Sequence, residues 1–175
     1  MEKKIAIYTD GAYSRKLGKG GYSCIVYDED NHIVRNAITG ADEDKKNTNN
    51  RMEIKGLLAA CKLATTKYKD YQVYIYCDSS YCVNMFNKWI NNWASNNWIG
   101  SSKTEVKNLD LVQQLYEYKK IDFPNFYIEQ TSGHQGILGN EIADLYARIK
   151  TYDRKAETIK LIKFFADNEI TLEIG

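Results

Sequence analysis

Apolar and polar positions alternate through "KIAIYT" (Lys4–Thr9), with Ile5 and Ile7 on one side, and the run stops at Asp10. A period of two marks a strand. Two more such runs, "GYSCIVY" (Gly21–Tyr27) and "IVRNAIT" (Ile33–Thr39), are joined by the turn-like "DEDNH". The three strands form an antiparallel meander. After the polar "ADEDKKNTNN", Met52, Leu57, Cys61 and Ala64 recur with helical spacing in "RMEIKGLLAACKLATTKY". "YQVYIYC" predicts a fourth strand, and "DSSYCVNMFNKWINNWASNNW" opens with helix-capping residues. Asn108–Lys120 is helical, with Leu111, Leu115 and Tyr118 on one stripe; "FPNFYIEQ" is a fifth strand and "GNEIADLYARIK" a helix. "AETIKLIKFFADN" continues as another helix and ends in the strand-like "EITLEI".

This order implies an α/β fold: a five-stranded mixed sheet, strands 1–3 an antiparallel meander, with helices on both faces. No repeat, low-complexity tract or linker interrupts the chain before about residue 150. Residues 1–150 are therefore expected to form one domain and 151–175 a C-terminal extension. Ile159, Ile162 and Phe165 give that extension an apolar face expected to pack on the domain, a dimer contact or partner helix being the alternative.

The length, 175 residues, suffices for a core without staples. A net charge of +1 neither demands nor excludes a polyanionic partner, because cations gather locally: Arg15, Lys16 and Lys19, then Lys45, Lys46 and Arg51. Such clusters are as often solvated surface as binding surface. Cys24, Cys61, Cys77 and Cys82 show neither a CxxC pair nor zinc-ligand spacing, and three lie in apolar segments, as expected for reduced core thiols. No apolar stretch reaches bilayer length and no signal peptide is recognisable, so a cytoplasmic location without membrane association is expected.

Four acids stand in unusual places. Asp10 closes the first strand run, on the face opposite Ile5 and Ile7. Asp78 follows the fourth strand, where ligands of open sheets lie, although a helix N-cap would explain it equally. Glu53 shares the apolar stripe of Leu57 and Cys61, which turns a carboxylate towards the sheet; an exposed acid favouring the helix dipole is the alternative. Asp144 sits among Ala143 and Ala147 on a second helix. If they converge, four acids without nearby cations suit hard divalent ions, and two ions about 3.5–4 Å apart suit phosphodiester hydrolysis. The glycine-rich loop after Asp10 is no phosphate cradle: no Ser or Thr follows Lys19, and a strand follows instead of a helix. Gly20 and Gly21 are expected to serve the hairpin turn, and Gly11 a close backbone approach beside Asp10.

"YTDGA" with a following "GGY", "TNNRMEIKGLLAA", "CDSSYCVN" and "SGHQGILGNEIAD" together resemble the type 1 ribonuclease H family, in the family's order from Lys4 to about Arg148. The resemblance implies a ribonuclease H-like fold and endonucleolytic hydrolysis of the RNA strand of RNA–DNA hybrids. It implies two Mg2+ ions, with Mn2+ able to substitute, and 5′-phosphate and 3′-hydroxyl products. Asp10, Glu53, Asp78 and Asp144 match its metal-binding carboxylates, and His134 its loop histidine. Gly11, Thr48, Asn49, Asn50, Ser79, Ser80 and Trp89 match positions that contact or flank nucleic acid. Readout of 2′-hydroxyls and groove shape would leave such an enzyme indifferent to sequence. A monomer is expected. A strand-transfer enzyme of similar fold and a non-catalytic nucleic-acid binder are the competing readings; the former lacks the "TNNRME" and "GHQG…GNEIAD" strings, and the presence of all four acids argues against the latter. "WINNWASNNW" resembles the family's DNA-gripping handle, but is rich in Asn and Ser where the handle is usually basic, with Lys88, Lys103 and Lys107 at its margins.

Overall fold

The computed structural model describes residues 3–44, 46–131 and 136–174. β1 (Lys4–Ser14), β2 (Lys19–Asp28) and β3 (Ile33–Asp42) form the expected antiparallel meander, in register from Ile7↔Val26 to Ser14↔Lys19 across β1 and β2. β4 (Gln72–Cys77) lies parallel to β1, and β5 (Phe126–Gln130) parallel to β4. A sixth strand corrects the expected five: β6 (Thr171–Leu172) lies parallel to β3, giving the order β5-β4-β1-β2-β3-β6. It lies within the strand-like "EITLEI", which the count of five left outside the sheet. Its backbone bonds to another element define it: Thr171 N–H donates to the His32 carbonyl and Glu173 N–H to that of Val34, both at 2.9 Å.

β1 runs past its apolar stretch, so Asp10 lies inside the strand rather than at its end, held by pairing with Ser23 of β2. The turn glycine is Gly18, at φ 61°. Gly20 and Gly21 lie within β2 instead, where a side chain would collide with Met52 at one and with Ala147 and Thr151 at the other.

α1 (Asn49–Thr65) starts at Thr48, whose hydroxyl accepts the Arg51 N–H at 3.1 Å. Its stripe of Ile54, Leu57 and Cys61 buries against Ile7, Cys24 and Ile75 on one face of the sheet. α4 (Leu109–Lys119) joins this layer. A two-pronged pair ties it to α1: Arg51 Nη1 donates to Asp110 Oδ1 at 2.9 Å and Nη2 to Oδ2 at 2.6 Å. Arg51 thus serves as a strut between helices. Between β4 and α4 come α2 (Ser80–Asn84), a π-helical turn (Met85–Trp89) and α3 (Ile90–Ser95).

On the opposite face α5 (Leu138–Tyr152) packs Ile142 and Ala143 against Tyr8, Ile25 and Tyr27. Small residues let it lie close, and the Ser23 hydroxyl donates to the Ala143 carbonyl at 2.6 Å. α6 (Lys155–Asp167) follows. The expected packing face holds at Phe165, which turns inward with Phe164 while Ile170 is buried, and is corrected at Ile159 and Ile162, which are 53% and 64% exposed. Phe165 meets Tyr146 edge-on at 6.4 Å. Glu157, covered by the chains around it, accepts from Arg148 at 3.3 Å and Arg154 at 2.9 Å and so anchors α6 to α5.

Candidate active site

The parallel pairing of β1 with β4 ends at Thr9↔Cys77. Asp10 is the next residue of β1 and Asp78 the first residue after β4, where the sheet opens into a crevice. α1 is drawn towards this point because Gly11 has no side chain: a Cβ there would collide with the backbone of Met52 and Glu53. Gly56, one turn along, is less crowded but still tight: a Cβ there would lie 3.1 Å from the carbonyl oxygen of Asp10 and 3.0 Å from that of Ser23. The absence of two side chains thus seats the start of α1 on β1 and brings Glu53 to Asp10.

The two carboxyls are hydrogen-bonded to each other, and both are buried, at 6% and 8% exposure. Asp10 Oδ1 also accepts the Gly11 N–H at 2.8 Å, and Glu53 Oε2 lies 3.8 Å from the Cys77 thiol that donates to it. Asp78 is half-buried and Asp144 exposed; the charges of both reach Asp10, and that of Asp78 also reaches Glu53. Burial pushes the Asp10 carboxyl above its ordinary range, and the charges of Asp78 and Asp144 add to this; the bonds from Glu53 and Gly11 oppose it. Burial raises Glu53 as well, reinforced by the charge of Asp10. Asp78 is raised by burial and by Asp144.

Among the described residues none of the four acids belongs to an ion pair. Buried carboxylates without a counter-charge must hold a proton or a cation. An oxygen-rich donor set of this kind fits a hard divalent ion. Asp78 is not the helix cap it might resemble in sequence: Ser79 takes that part, its hydroxyl accepting the Cys82 N–H at 3.2 Å. That leaves the Asp78 carboxylate free to face the other acids.

The remaining candidates surround this centre unevenly. Thr48, Asn49 and Asn50 are exposed at the start of α1, one turn before Glu53. Ser80 is exposed in the first turn of α2. Trp89 is half-buried, tilted against Tyr81 at 5.7 Å and Trp93 at 5.9 Å, so the handle's aromatic residues pack on one another. His134 lies outside the described residues. Cys77 is a free thiol of the core, as expected, and it lies directly before Asp78 at the end of β4.

The RNase H family model matches residues 2–151. The chain belongs to the RNase H family. It is 39% identical over 147 residues to the ribonuclease H of Caldicellulosiruptor saccharolyticus, covering 83% of this chain and 94% of that one. The ribonuclease H of Rickettsia bellii is 38% identical over 144 residues, covering 82% and 86%. Among solved structures, the PFV RNase H domain superposes with a TM-score of 0.72 at 23% identity, over 87% of this chain and 97% of that one. LC9-RNase H1, a type 1 RNase H with the type 2 active-site motif, does so with 0.71 at 21% identity, over 99% and 88%. A foamy viral protease-reverse transcriptase in complex with RNA/DNA hybrid gives 0.72 at 20% identity, over 87% of this chain and 20% of that one. These structures share the RNase H fold, a mixed sheet with helices on both faces. As an RNase H, the protein is a ribonuclease and a metal-dependent endonuclease.

Proposed function

We propose that the protein hydrolyses the RNA strand of RNA–DNA hybrids, leaving 5′-phosphate and 3′-hydroxyl ends, with Asp10, Glu53, Asp78 and Asp144 holding two Mg2+ ions for which Mn2+ can substitute. The observation that carries the reading is the hydrogen-bonded Asp10–Glu53 pair, buried without a cation and facing two further acids. Bound divalent ions supply Lewis acidity and an activated water to in-line attack on a phosphodiester. The chain's own residues do the rest. Asp10 and Glu53 would hold the ions as carboxylates, without the proton between them, and fix the centre against β1 and α1. Asp78 and Asp144 close it from two other elements.

Thr48, Asn49 and Asn50 stand where a groove with 2′-hydroxyls and phosphates would lie against the start of α1, with Gly11, Ser79, Ser80 and Trp89 at the margins; His134 is assigned to product release or protonation by its motif. The hybrid held by a protein of the same fold supports this substrate class. Residues 1–150 are read as the catalytic domain and 151–175 as an extension packed upon it, acting as a cytoplasmic monomer. Among the described residues no helix is long and apolar enough to cross a membrane.

A labelled RNA–DNA hybrid incubated with Mg2+ tests the proposal. Wild type is expected to cut only the RNA strand, and Asp10→Asn to be slower by about 10²–10³-fold or more. Equal rates for the two proteins, or equal cutting of an RNA–RNA duplex, would sink it.

A further inference from the structure

Oxygen donors account for hard-ion chemistry, but the floor of this centre also carries sulfur. The ligand atoms of Glu53, Cys77 and Asp78 all lie within 4.8 Å of one another. Around a tetrahedral zinc ion, bonds of ~2.3 Å to sulfur and ~2.1 Å to oxygen set those two donors roughly 3.6 Å apart. Cys77 Sγ and Glu53 Oε2 stand at 3.8 Å. Glu53 is 8% exposed and has no cation partner among the described residues, so its carboxylate is already aimed at the sulfur without a counter-charge. Cys77 is fully buried, and the packing of β4 against α1 fixes its direction. Magnesium gains nothing from such a neighbour, whereas thiolate is a preferred donor for zinc and other soft or borderline ions.

We propose that Glu53, Cys77 and Asp78 form a mixed oxygen–sulfur site for a borderline or soft divalent cation, zinc or its analogue cadmium, which displaces the hard ion by taking two of its carboxylates. On binding, the Sγ–H bond gives way to a sulfur–metal bond and the proton leaves to solvent. The site rests on the proposed function only in that the competing hard ion uses Glu53 and Asp78. Its consequence is inhibition by zinc even in the presence of magnesium.

Cadmium chloride titrated into the metal-free full chain tests the site without reference to activity. A sulfur-to-cadmium charge-transfer band in the ultraviolet is expected to saturate at one equivalent, and added Mg2+ to raise the half-saturation concentration. Cys77→Ser should lack the band and Cys82→Ser should keep it, while Asp78→Asn should keep the band with binding about tenfold weaker or more. A wild type without the band, a band that survives in Cys77→Ser, or one lost in Cys82→Ser would overturn the proposal. Should Cys77→Ser give no cooperative melt, Asp78→Asn decides: a half-saturation equal to wild type refutes the chelate. Hybrid cleavage with Mg2+ alone, run on the same preparation, reports on the proposed function separately: its failure leaves the band standing, and failure of the band leaves cleavage standing.

Discussion

Asp10 and Glu53 share a hydrogen bond in a place where two negative charges are costly, and this sets a direction for stability against pH. Both carboxyls ionise above their ordinary range in the folded protein, first because they are buried; the charges of Asp78 and Asp144 then add to this for Asp10, and the charge of Asp10 for Glu53. Without metal, the native state therefore binds more protons than the unfolded chain once pH exceeds the usual carboxylate range of about 4. Stability contributed by these protons is full below that range and is lost as pH rises towards and past neutrality. Melting of the metal-free protein between pH 4 and 8 should show this fall, superimposed on the titration of the surface acids. Asp10→Asn should flatten it and raise stability at neutral pH by about 2 kcal/mol. Mg2+ should restore the wild type and act weakly on the variant. A metal-free protein whose stability rises steadily to pH 8, with Asp10→Asn no more stable, would contradict the shared-proton arrangement. Each acid was legible in the sequence by its position: at a strand end, or on an apolar stripe. Their meeting was not, because it depends on Gly11 and Gly56 seating α1 against β1, a contact between segments about 40 residues apart.

Among the elements, the stretch from α2 to α3 departs most from a regular pattern. The π-helical turn Met85–Trp89 breaks the helical phase between two short helices, and Trp89, Trp93 and Tyr81 pack together there. Periodicity cannot anticipate such a shift, since the i, i+4 relation of Trp89 and Trp93 looks like a plain helix. The charge of the stretch is legible in the sequence: from Lys88 through the loop after α3 the segment offers the exposed Lys88, Lys103 and Lys107 against one exposed acid, Glu105, amid many Asn and Ser. Each phosphate contact by a cation contributes a slope of about −0.9 in log K against log salt. This segment's share of hybrid binding should therefore be no steeper than about −3. Binding of the Asp10→Asn protein to a hybrid across a salt series measures it, with a Lys88→Ala, Lys103→Ala, Lys107→Ala variant isolating the share. A loss of slope well beyond three phosphates on removing these lysines would mean that they recruit contacts the segment itself does not carry.

At the level of the whole molecule, the strand and helix order, the two-faced sheet and the antiparallel meander followed from alternation and turn composition alone. The packed face of the last helix did not, for a physical reason. α6 is apolar on two sides, and periodicity could not say which one the sheet layer would take; the answer came from Tyr146 and the aromatic layer around Tyr8, which receive Phe164 and Phe165 and leave Ile159 and Ile162 in water. β6 then covers the edge of β3, and Glu157 ties the segment down through Arg148 and Arg154. Of the four acids only Asp144 lies near this anchor, its charge felt by Arg148, while Asp10, Glu53 and Asp78 sit at the crevice between β1 and β4. Ending the chain after residue 153 should therefore separate stability from catalysis. Two half-buried phenylalanines and Ile170 would leave the core, a cost of about 3 kcal/mol, or roughly 6–12 °C in Tm for a chain of this size. The exposed ring of Tyr146 and the bared edge of β3 should also make the truncated protein more prone to associate. Its rate on a hybrid below the melting range should stay within about threefold of the full chain, since the acid cluster is untouched. A truncated protein that melts as the full chain does would show that the extension docks without stabilising. One that folds but loses cleavage would instead place α6 in the path of the substrate, a role its contacts with α5 and β3 do not suggest.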